Sequence, residues 1–507
     1  MKLFFNNLKR FPVKPGMTKS VMADLIGHLK PGMTMAALLL CAVLQAEPLR
    51  VAHVFSDHAV FQRETTAPVW GWGEPGKTVS VKASWNGKTV KAKVGEDGKW
   101  RLELATTAAG GPYTVTVKSG SEKIELTDVW LGEVWVCSGQ SNMEMPVGGY
   151  GFQEVEGSTD AILSSWETAS RVRVFDIRAP KSAVPVEDVD ATWKLSTPDV
   201  TRGTSAVGYF FAKRLSSSLG VPVGIIVNPW GGSRLEPWMT WDAIRSVDLT
   251  EAELSEIENL VEKPDHWPET PEIMWYGRML PVAGYAAKGF VWYQGCSNIG
   301  QHGCYDKLQA AMVKLWRKTW GRGDMPFLFT LLAPYGHGDA NGTWRPEFVR
   351  TQMRTTEILP QSWYVCTESI GDPVTIHPPK KREVADMFVM RALQNVYGIN
   401  PGISIELPEP KDIVYGDDGK VRITFTNVWS DLGAMTRREV KGFELAGEDR
   451  VFHLADAEVF WDGGTVVVSC PDVPKPVAVR YSWRNWMGSN LATTAGIPVP
   501  PFRTDNW

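Results

Sequence analysis

The sequence VWVCSGQSNME, residues 134–144, begins as a short apolar strand and breaks at Gly139 into a tight turn. In an open α/β sheet, ligands bind at the carboxyl ends of the strands. Ser141 at that place, opening a helix, would have backbone N–H groups directed at developing negative charge. A serine that only caps a helix produces the same short pattern, so the rest of the chain must decide between the two interpretations.

Downstream of this stretch, predicted strands alternate with predicted helices. The stripe Val207, Phe211, Leu215 and Leu219, followed by Gly220, is typical of an amphipathic helix and its end. The predicted strands are residues 134–138, 223–227, 288–293 and 327–332, and the predicted helices are residues 205–219, 305–320 and 379–397. Such alternation predicts a three-layer α/β domain with a mostly parallel sheet, over residues 129–400.

In the two flanking regions, apolar and polar residues alternate with the two-residue period of β-strands. Over residues 48–128, apolar residues alternate with polar ones between turn signals such as Asn86-Gly87 and Asp97-Gly98. This pattern predicts a β-sandwich domain at residues 47–128. After Gly398 the alternation returns, which predicts a C-terminal β-rich domain at residues 401–507.

The N-terminus resembles a targeting segment. Residues 35–44 read MAALLLCAVL and follow Lys30, and a run of ten apolar residues is too short to span a bilayer but suits a signal peptide. We expect residues 1–46 to be this segment and the mature protein to be secreted or periplasmic. No other stretch approaches the length of a membrane span, which predicts a mature chain without a membrane partner.

Composition excludes several classes. A chain of 507 residues exceeds what one core usually holds, about 250–300 residues. The formal net charge of −4 gives no electrostatic reason to expect nucleic acid or an anionic membrane as a partner. The six cysteines form no CxxC pair and no Cys/His cluster with zinc spacing, so no metal site is predicted. At most two disulfides remain available once Cys41 is removed.

Several motifs then resemble one family. Residues 138–144, SGQSNME, closely resemble the nucleophile block of the sialate O-acetylesterase family within the SGNH-hydrolase group. The similar blocks that follow in order are VPVGII at 221–226, WGGS at 230–233, KGFVWYQGCSN at 288–298 and IHP at 376–378. The resemblance runs from about residue 50 to the end. It implies an SGNH-hydrolase-like catalytic domain and a serine esterase that removes O-acetyl groups from sugars without a cofactor.

The resemblance also selects a base for the nucleophile. A serine hydroxyl is a weak nucleophile and needs a neighbouring base. His377 lies in a proline-rich turn just before a predicted helix and matches the family's last block. Its ordinary pKa of about 6.5 leaves it able to accept the Ser141 proton at neutral pH. His266, His302 and His337 read as ordinary surface or core histidines.

Other positions are matched to substrate or oxyanion contacts. The backbone N–H of Ser141, an N–H in Gly231-Gly232 and the Gln294 side chain match the family's oxyanion blocks. A plain turn at Gly231-Gly232 and a structural amide at Gln294 are the alternatives. Three further residues are candidate substrate contacts, with surface roles as their alternative: Asn298, Arg234 and Trp238.

The group that orients His377 is left open. The family commonly has Asp two residues before this histidine, where the chain has Thr375. In the block KGFVWYQGCSN, the Glu that is usual in the family is replaced by Cys296. Either a backbone carbonyl near Thr375 orients the imidazole in a Ser–His dyad, or the carboxylate of Asp372 or Glu368 does so.

Three functions follow as hypotheses. The first is a carbohydrate O-acetylesterase acting on an O-acetylated sialic acid or on an acetylated plant polysaccharide such as xylan or pectin. The second is a secreted glycan-binding protein that has lost catalysis, which the missing Asp favours and which Ser141, His377 and Gln294 oppose. The third is a lipid esterase, which the sugar-type flanking β regions oppose.

Overall fold

The computed structural model describes residues 48–260, 269–301, 303–336, 338–428, 432–434, 439–460 and 464–507. The predicted signal segment at residues 1–46 lies outside the described residues, as do His266, His302 and His337. Across the described ranges, no helix combines the length and the apolar character that crossing a membrane requires.

The N-terminal region consists of short strands in two sheets that share a core. The strands are β1 (Arg50–Val51), β2 (Val60–Gln62), β3 (Thr66–Trp72), β4 (Thr78–Ala83), β5 (Thr89–Lys93), β6 (Lys99–Ala105), β7 (Gly110–Ser119) and β8 (Glu122–Gly139). One sheet has the order β1-β3-β6, and β4, β5 and β7 belong to the other. Trp100, Leu102 and Leu104 alternate with exposed residues along β6 and pack in the same core as Val79 and Val81 of β4. The predicted alternation is therefore present.

Strand β8 joins this region to the central sheet. Its first part pairs antiparallel with β7, from Glu122 opposite Ser119 onward. Its second part pairs in parallel with two strands of the central sheet, where Glu133 lies opposite Val223 and Trp135 opposite Gly289. One strand of 18 residues thus takes part in both regions.

The central region alternates strands and helices. Its strands are β9 (Val172–Asp176), β10 (Trp193–Leu195), β11 (Val223–Pro229), β12 (Gly289–Tyr293), β13 (Phe327–Thr330) and β14 (Ser362–Val365). Its α-helices are α1 (Ser141–Glu144), α2 (Ser158–Leu163), α3 (Pro198–Gly203), α4 (Ala206–Leu219), α5 (Trp241–Arg245), α6 (Glu251–Asn259), α7 (Tyr305–Trp320), α8 (Trp344–Ile358) and α9 (Lys381–Arg391). Its 3₁₀ turns are Ser164–Glu167, Glu236–Trp238, Leu280–Val282 and Cys296–Asn298, and its π turns are Trp275–Met279 and Ala392–Val396.

The central strands have the order β10-β9-β11-β8-β12-β13-β14. All neighbours from β9 to β14 are parallel, and β10 is antiparallel to β9. The central strands are thus mostly parallel, but the sheet to which they belong is mixed, because β8 also pairs antiparallel with β7. The prediction of a mostly parallel sheet is therefore not confirmed.

Helices cover both faces of the central sheet. Val134 and Val136 of β8 pack in the core that contains residues of α7 and α8, whereas Trp135 and Cys137 pack in the core that contains residues of α4 and α9. Burial on both faces explains why residues 134–137 of this strand are all apolar. The predicted helix that ends before Gly220 is confirmed as α4, since Gly220 takes a left-handed φ of 68° that suits glycine at a helix end.

The C-terminal region is a β-structure attached to the central sheet. Its strands are β15 (Pro410–Tyr415), β16 (Lys420–Phe425), β17 (Leu432–Ala434), β18 (Val440–Ala446), β19 (Phe452–Val459), β20 (Val466–Ser469), β21 (Ala478–Tyr481), β22 (Leu491–Thr493) and β23 (Phe502–Arg503). Seven of them form a sheet in the order β15-β16-β20-β19-β18-β21-β23, and β17 pairs with β22. A buried ion pair of Arg345 with Glu368, 2.8 Å apart, reaches Ser482 in this region. The predicted β-rich C-terminal region is confirmed.

Candidate active site

Ser141 lies at the carboxyl end of β8, where the chain leaves the sheet and begins α1. Gly139, the last residue of β8, has a φ of +141°, and a Cβ at this position would lie 2.2 Å from the carbonyl oxygen of Tyr293. Only glycine permits such an approach of two backbones. The turn therefore needs Gly139, because β8 and β12 pass each other closely just before Ser141.

The side chains of Ser141 and His377 are in hydrogen-bond contact. The Oγ of Ser141 is 2.8 Å from Nε2 of His377, and Nδ1 of His377 is 2.6 Å from Oε1 of Gln153. An amide oxygen only accepts hydrogen bonds, so Nδ1 carries the proton and Nε2 is left to accept the proton of the serine hydroxyl. The three side chains thus hold a neutral imidazole in the orientation that a base for Ser141 requires.

Gln153 belongs to a tight loop that follows α1. Tyr150 and Gln153 exchange two backbone hydrogen bonds, of 2.9 and 2.6 Å. Gly149 has a φ of +78°, and a Cβ there would lie 2.5 Å from the carbonyl oxygen of Gln153. The loop brings Gln153 to the imidazole and sets the Tyr150 ring edge-on to that of His377, with 5.4 Å between ring centroids.

Two effects disfavour protonation of His377. Burial is the larger effect and the positive charge of Lys381 is the second, and together they lower the pKa of His377 from 6.5 to about 4. Gln153 is uncharged, so it orients the ring without supplying the negative charge that an aspartate gives to an imidazolium. His377 is therefore neutral from mildly acidic pH upward.

The residues just before His377 shape its turn but do not orient its ring. Oδ1 of Asp372 accepts hydrogen bonds from the N–H groups of Val374 and Thr375, at 2.8 and 2.9 Å. Oγ1 of Thr375 accepts the backbone N–H of His377 at 3.1 Å. The prediction that Asp372 or a carbonyl near Thr375 meets Nδ1 is therefore wrong, because Gln153 occupies that position.

Glu368 is also engaged elsewhere. Its carboxylate pairs with both terminal nitrogens of Arg345, at 2.8 and 3.2 Å, and accepts a short hydrogen bond from the hydroxyl of Ser482. All three side chains are buried. Glu368 thus joins the central region to the C-terminal sheet and is not the partner of His377.

The predicted oxyanion donors differ in whether their N–H groups are already hydrogen-bonded. Ser141 is the first residue of α1, so its N–H has no acceptor within the helix. The N–H of Gly231 donates to Oε2 of Glu144 at 2.9 Å, and the carbonyl of Gly232 accepts the hydroxyl of Ser297 at 3.0 Å. The Gly231 N–H is therefore engaged by the carboxyl group of Glu144.

Gln294 is part of a buried network. Its amide nitrogen donates to the carbonyl of Ser233 at 3.1 Å and to Oδ1 of Asn298 at 2.7 Å, and its oxygen accepts the hydroxyl of Tyr305 at 2.6 Å. Both amide hydrogens are engaged, so the structure does not leave Gln294 free to bind an oxyanion.

The three candidate substrate contacts lie in or beside the same network. Asn298 is buried and donates to Glu236, and Arg234 pairs with Glu236 at 3.2 Å. Trp238 is fully buried and donates its indole N–H to Oγ of Ser233. The structure thus places these side chains among groups that hold the loop after β11, and their role as substrate contacts stays a prediction.

A cavity of about 320 Å³ lies beside Tyr150, whose ring packs against that of His377. Its walls include Glu144, Tyr150, Trp230, Asp176 and Arg178, and the last two form an ion pair of 2.8 Å. A pocket of this size with aromatic and hydrogen-bonding groups suits a small polar ligand. Within the described part of the chain, no group of three or more His, Cys, Asp or Glu side chains is placed to hold a metal ion, and the five described cysteines are free thiols.

Three comparisons relate the chain to known proteins. The crystal structure of a carbohydrate acetylesterase from Xanthomonas citri superposes with a TM-score of 0.78 at 32% sequence identity, covering 90% of this chain and 100% of that one. Sialate O-acetylesterases of Homo sapiens and Rattus norvegicus are 29% and 26% identical, over 89% of this chain and 92% and 94% of theirs. The family described as carbohydrate esterase, sialic acid-specific acetylesterase matches residues 131–377.

The fold and these similarities define the class: the protein is a carbohydrate O-acetylesterase. Within that class, the chain belongs to the sialic acid-specific acetylesterase family of carbohydrate esterases. The family predicted from the motifs around Ser141 and His377 is thereby confirmed.

Proposed function

We propose that the protein hydrolyses O-acetyl esters of sugars through an acyl-enzyme on Ser141. The observation that supports this most directly is the aligned set of Ser141, His377 and Gln153, with successive distances of 2.8 and 2.6 Å. A neutral histidine held in one tautomer beside a serine is the arrangement that activates the hydroxyl. The same alignment disfavours the hypothesis of a glycan-binding protein that has lost catalysis.

In the first half-reaction, Oγ of Ser141 attacks the acetyl carbonyl carbon while Nε2 of His377 takes the hydroxyl proton. The tetrahedral intermediate collapses, the bond to the sugar oxygen breaks, and Nε2 returns the proton to that oxygen. In the second half-reaction, water loses a proton to Nε2 and attacks acetyl-Ser141, and acetate leaves as Ser141 recovers its proton. Gln153 keeps the ring in place throughout.

The negative charge on the intermediate needs hydrogen-bond donors. We propose the N–H groups of Ser141 and Gly231 for this role, with Gly232 shaping the turn that presents the second. The carboxylate of Glu144 now occupies the Gly231 N–H, so the substrate oxygen would replace it. Burial raises the pKa of Glu144, which lowers the cost of moving this side chain in its neutral form.

The cavity beside Tyr150 is proposed to hold the sugar. Trp230 offers an aromatic face, while Asp176 and Arg178 offer polar groups to ring hydroxyls. The names of the relatives support an O-acetylated sialic acid as the first substrate to test. Acetylated plant polysaccharides are the second, and they rest on the sequence hypothesis alone. We also propose, from the sequence, export by residues 1–46 and domains at residues 47–128, 129–400 and 401–507.

Acetate release from a panel of glycans tests this function. The panel contains O-acetylated sialic acid glycans, acetylated xylan and acetylated pectin, with a chromogenic acetate ester as the control substrate. We expect release from at least one glycan. Trp230→Ala should raise KM for that glycan by up to about tenfold, the value of an aromatic contact of about 0.5–1.5 kcal/mol, and leave the chromogenic ester unaffected.

Trp166, whose side chain is exposed (67% of its surface is accessible to solvent), provides the matched control. Trp166→Ala should change neither KM for the glycan nor the activity on the chromogenic ester. Cleavage of the chromogenic ester together with intact acetyl groups on every glycan would rule out the sugar substrate.

The orienting role of Gln153 gives a second prediction. Gln153→Leu should lower kcat by about 10- to 100-fold, because a hydrogen bond to a group that becomes charged is worth about 1.5–3 kcal/mol. Gln153→Glu should keep the orientation and raise the pKa of His377, so the loss of kcat/KM on acidification should begin at a higher pH. Steady-state kinetics over pH measure both effects.

Phe152, the fully exposed neighbour of Gln153, is the control position. If Phe152→Leu lowers kcat on the chromogenic ester as much as Gln153→Leu does, the effect comes from the loop as a whole and the orienting role of Gln153 is wrong.

A further inference from the structure

Lys381 is a buried cation directly behind the active site. It begins α9, four residues after His377, and its side chain is 1% exposed. Its Nζ donates to Oδ1 of Asn142 and lies 5.5 Å from the ring centroid of Tyr293. The thiol of Cys296 is the ionisable group that acts on it electrostatically, besides His377. Burial raises the pKa of that thiol to about 12, so the thiol is neutral and gives Lys381 no counter-charge.

Asn142 connects this lysine to the two backbone segments that carry Ser141 and His377. It follows Ser141 directly in the chain, and its Nδ2 donates to the carbonyl of Ile376, the residue before His377, at 3.0 Å. The ammonium of Lys381 only donates, so it requires the oxygen of the Asn142 amide on its side and turns the nitrogen toward Ile376. Lys381, Asn142 and Ile376 therefore form a chain of hydrogen bonds that ties the helix of the nucleophile to the turn of the base.

We propose that Lys381 is a positioning residue of this esterase: through Asn142 it fixes Ser141 against His377, and its charge opposes protonation of His377. The inference rests on the proposed roles of Ser141 and His377. It assigns to Lys381 two separable effects, one geometric and transmitted through Asn142, the other electrostatic and acting directly on the imidazole.

The sign of the electrostatic effect follows from the groups around the ammonium. Asn142 of α1, Tyr293 of β12 and Cys296 of the following turn face Lys381, and none of them carries a negative charge at neutral pH. Burial lowers the pKa of Lys381 to about 7, whereas His377 has a pKa of about 4. Lys381 is thus charged throughout the range in which His377 titrates, and removing the charge must raise the pKa of His377.

The test is the pH profile of kcat/KM on a chromogenic acetate ester. Lys381→Met keeps the apolar stem and removes the charge, so the acid limb should move up by about one pH unit and stay below the ordinary histidine value of about 6.5, because burial is the larger effect. Asn142→Ala cuts the link and keeps the charge, so kcat should fall about tenfold or more, the value of a hydrogen bond to a charged group, while the acid limb stays in place. Lys380→Met, at the exposed neighbouring position, is the matched control and should change neither the acid limb nor kcat.

A second variant covers the case in which Lys381→Met does not fold. Cys296→Glu supplies the missing counter-charge beside Nζ, and it too should move the acid limb upward with Lys381 in place. An unshifted acid limb in the folded variants overturns the electrostatic role, and a normal kcat in Asn142→Ala overturns the geometric one. Failure of the proposed function is seen separately, because a serine-reactive phosphonate would then leave Ser141 of the wild-type protein unlabelled.

Discussion

Replacing Ser141 by alanine is expected to lower kcat by at least about 10³-fold on every acetate ester, because the variant has lost the atom that forms the acyl-enzyme. The fold should be unchanged. The Ser141 hydroxyl bonds only His377 among the described residues, so the melting temperature should stay close to that of the wild type. Initial rates and thermal unfolding measure the two properties on the same samples.

A serine-reactive phosphonate provides an independent readout. It should modify Ser141 in the wild-type protein and leave the Ser141→Ala variant unmodified, as located by mass spectrometry of peptides. Ser217→Ala, on the exposed face of α4, is the control and should retain full activity. An active Ser141→Ala variant, or a phosphonate on a different serine, would remove the basis of the mechanism.

The second large effect concerns His377 and pH. Because kcat/KM requires the neutral imidazole, and burial with the charge of Lys381 lowers the pKa of His377 to about 4, activity should stay on a plateau from neutral into mildly acidic conditions. It should fall only as the pH drops through about 4, where His377 takes up a proton. His377→Asn should lower kcat by at least about 10³-fold, since the base is lost.

The control for this variant is His53→Asn, because His53 is exposed and pairs with Asp188 at 2.8 Å far from Ser141 in the sequence. Its profile should match the wild type. An acid limb centred near the ordinary value of about 6.5 would mean that burial and Lys381 do not act on His377 as described.

The sequence predicted those parts of the fold that depend on local patterns. Helix α4 ends where Gly220 permits a left-handed residue, and β6 alternates because one of its faces is buried. The continuity of β8 was not predicted: the domain boundary expected at residue 128 falls inside this strand, whose partners change between Leu131 and Glu133 while the strand itself is unbroken. Pairing partners are set by long-range packing, which a local period does not contain.

The same limit applies to the active site: residues in motifs were predicted, and residues brought in by long-range folding were not. Ser141 and His377 lie in motifs, and the structure brings their side chains together. Gln153 lies 224 residues from His377 in a loop without a motif, and only the surrounding glycines mark that loop. Trp238 was chosen for its nearness to a motif along the chain, but its side chain is fully buried. Nearness in sequence does not report exposure.

The undivided strand β8 also bears on how this protein can diversify. The strand runs from its pairing with β7 to the turn at Gly139, so the same stretch of backbone belongs to an N-terminal sheet and leads directly to Ser141. Recombination between related genes at this junction would cut that strand and displace the nucleophile. We therefore expect these regions to be inherited together, and new specificities to arise by substitution in the loops that surround the cavity.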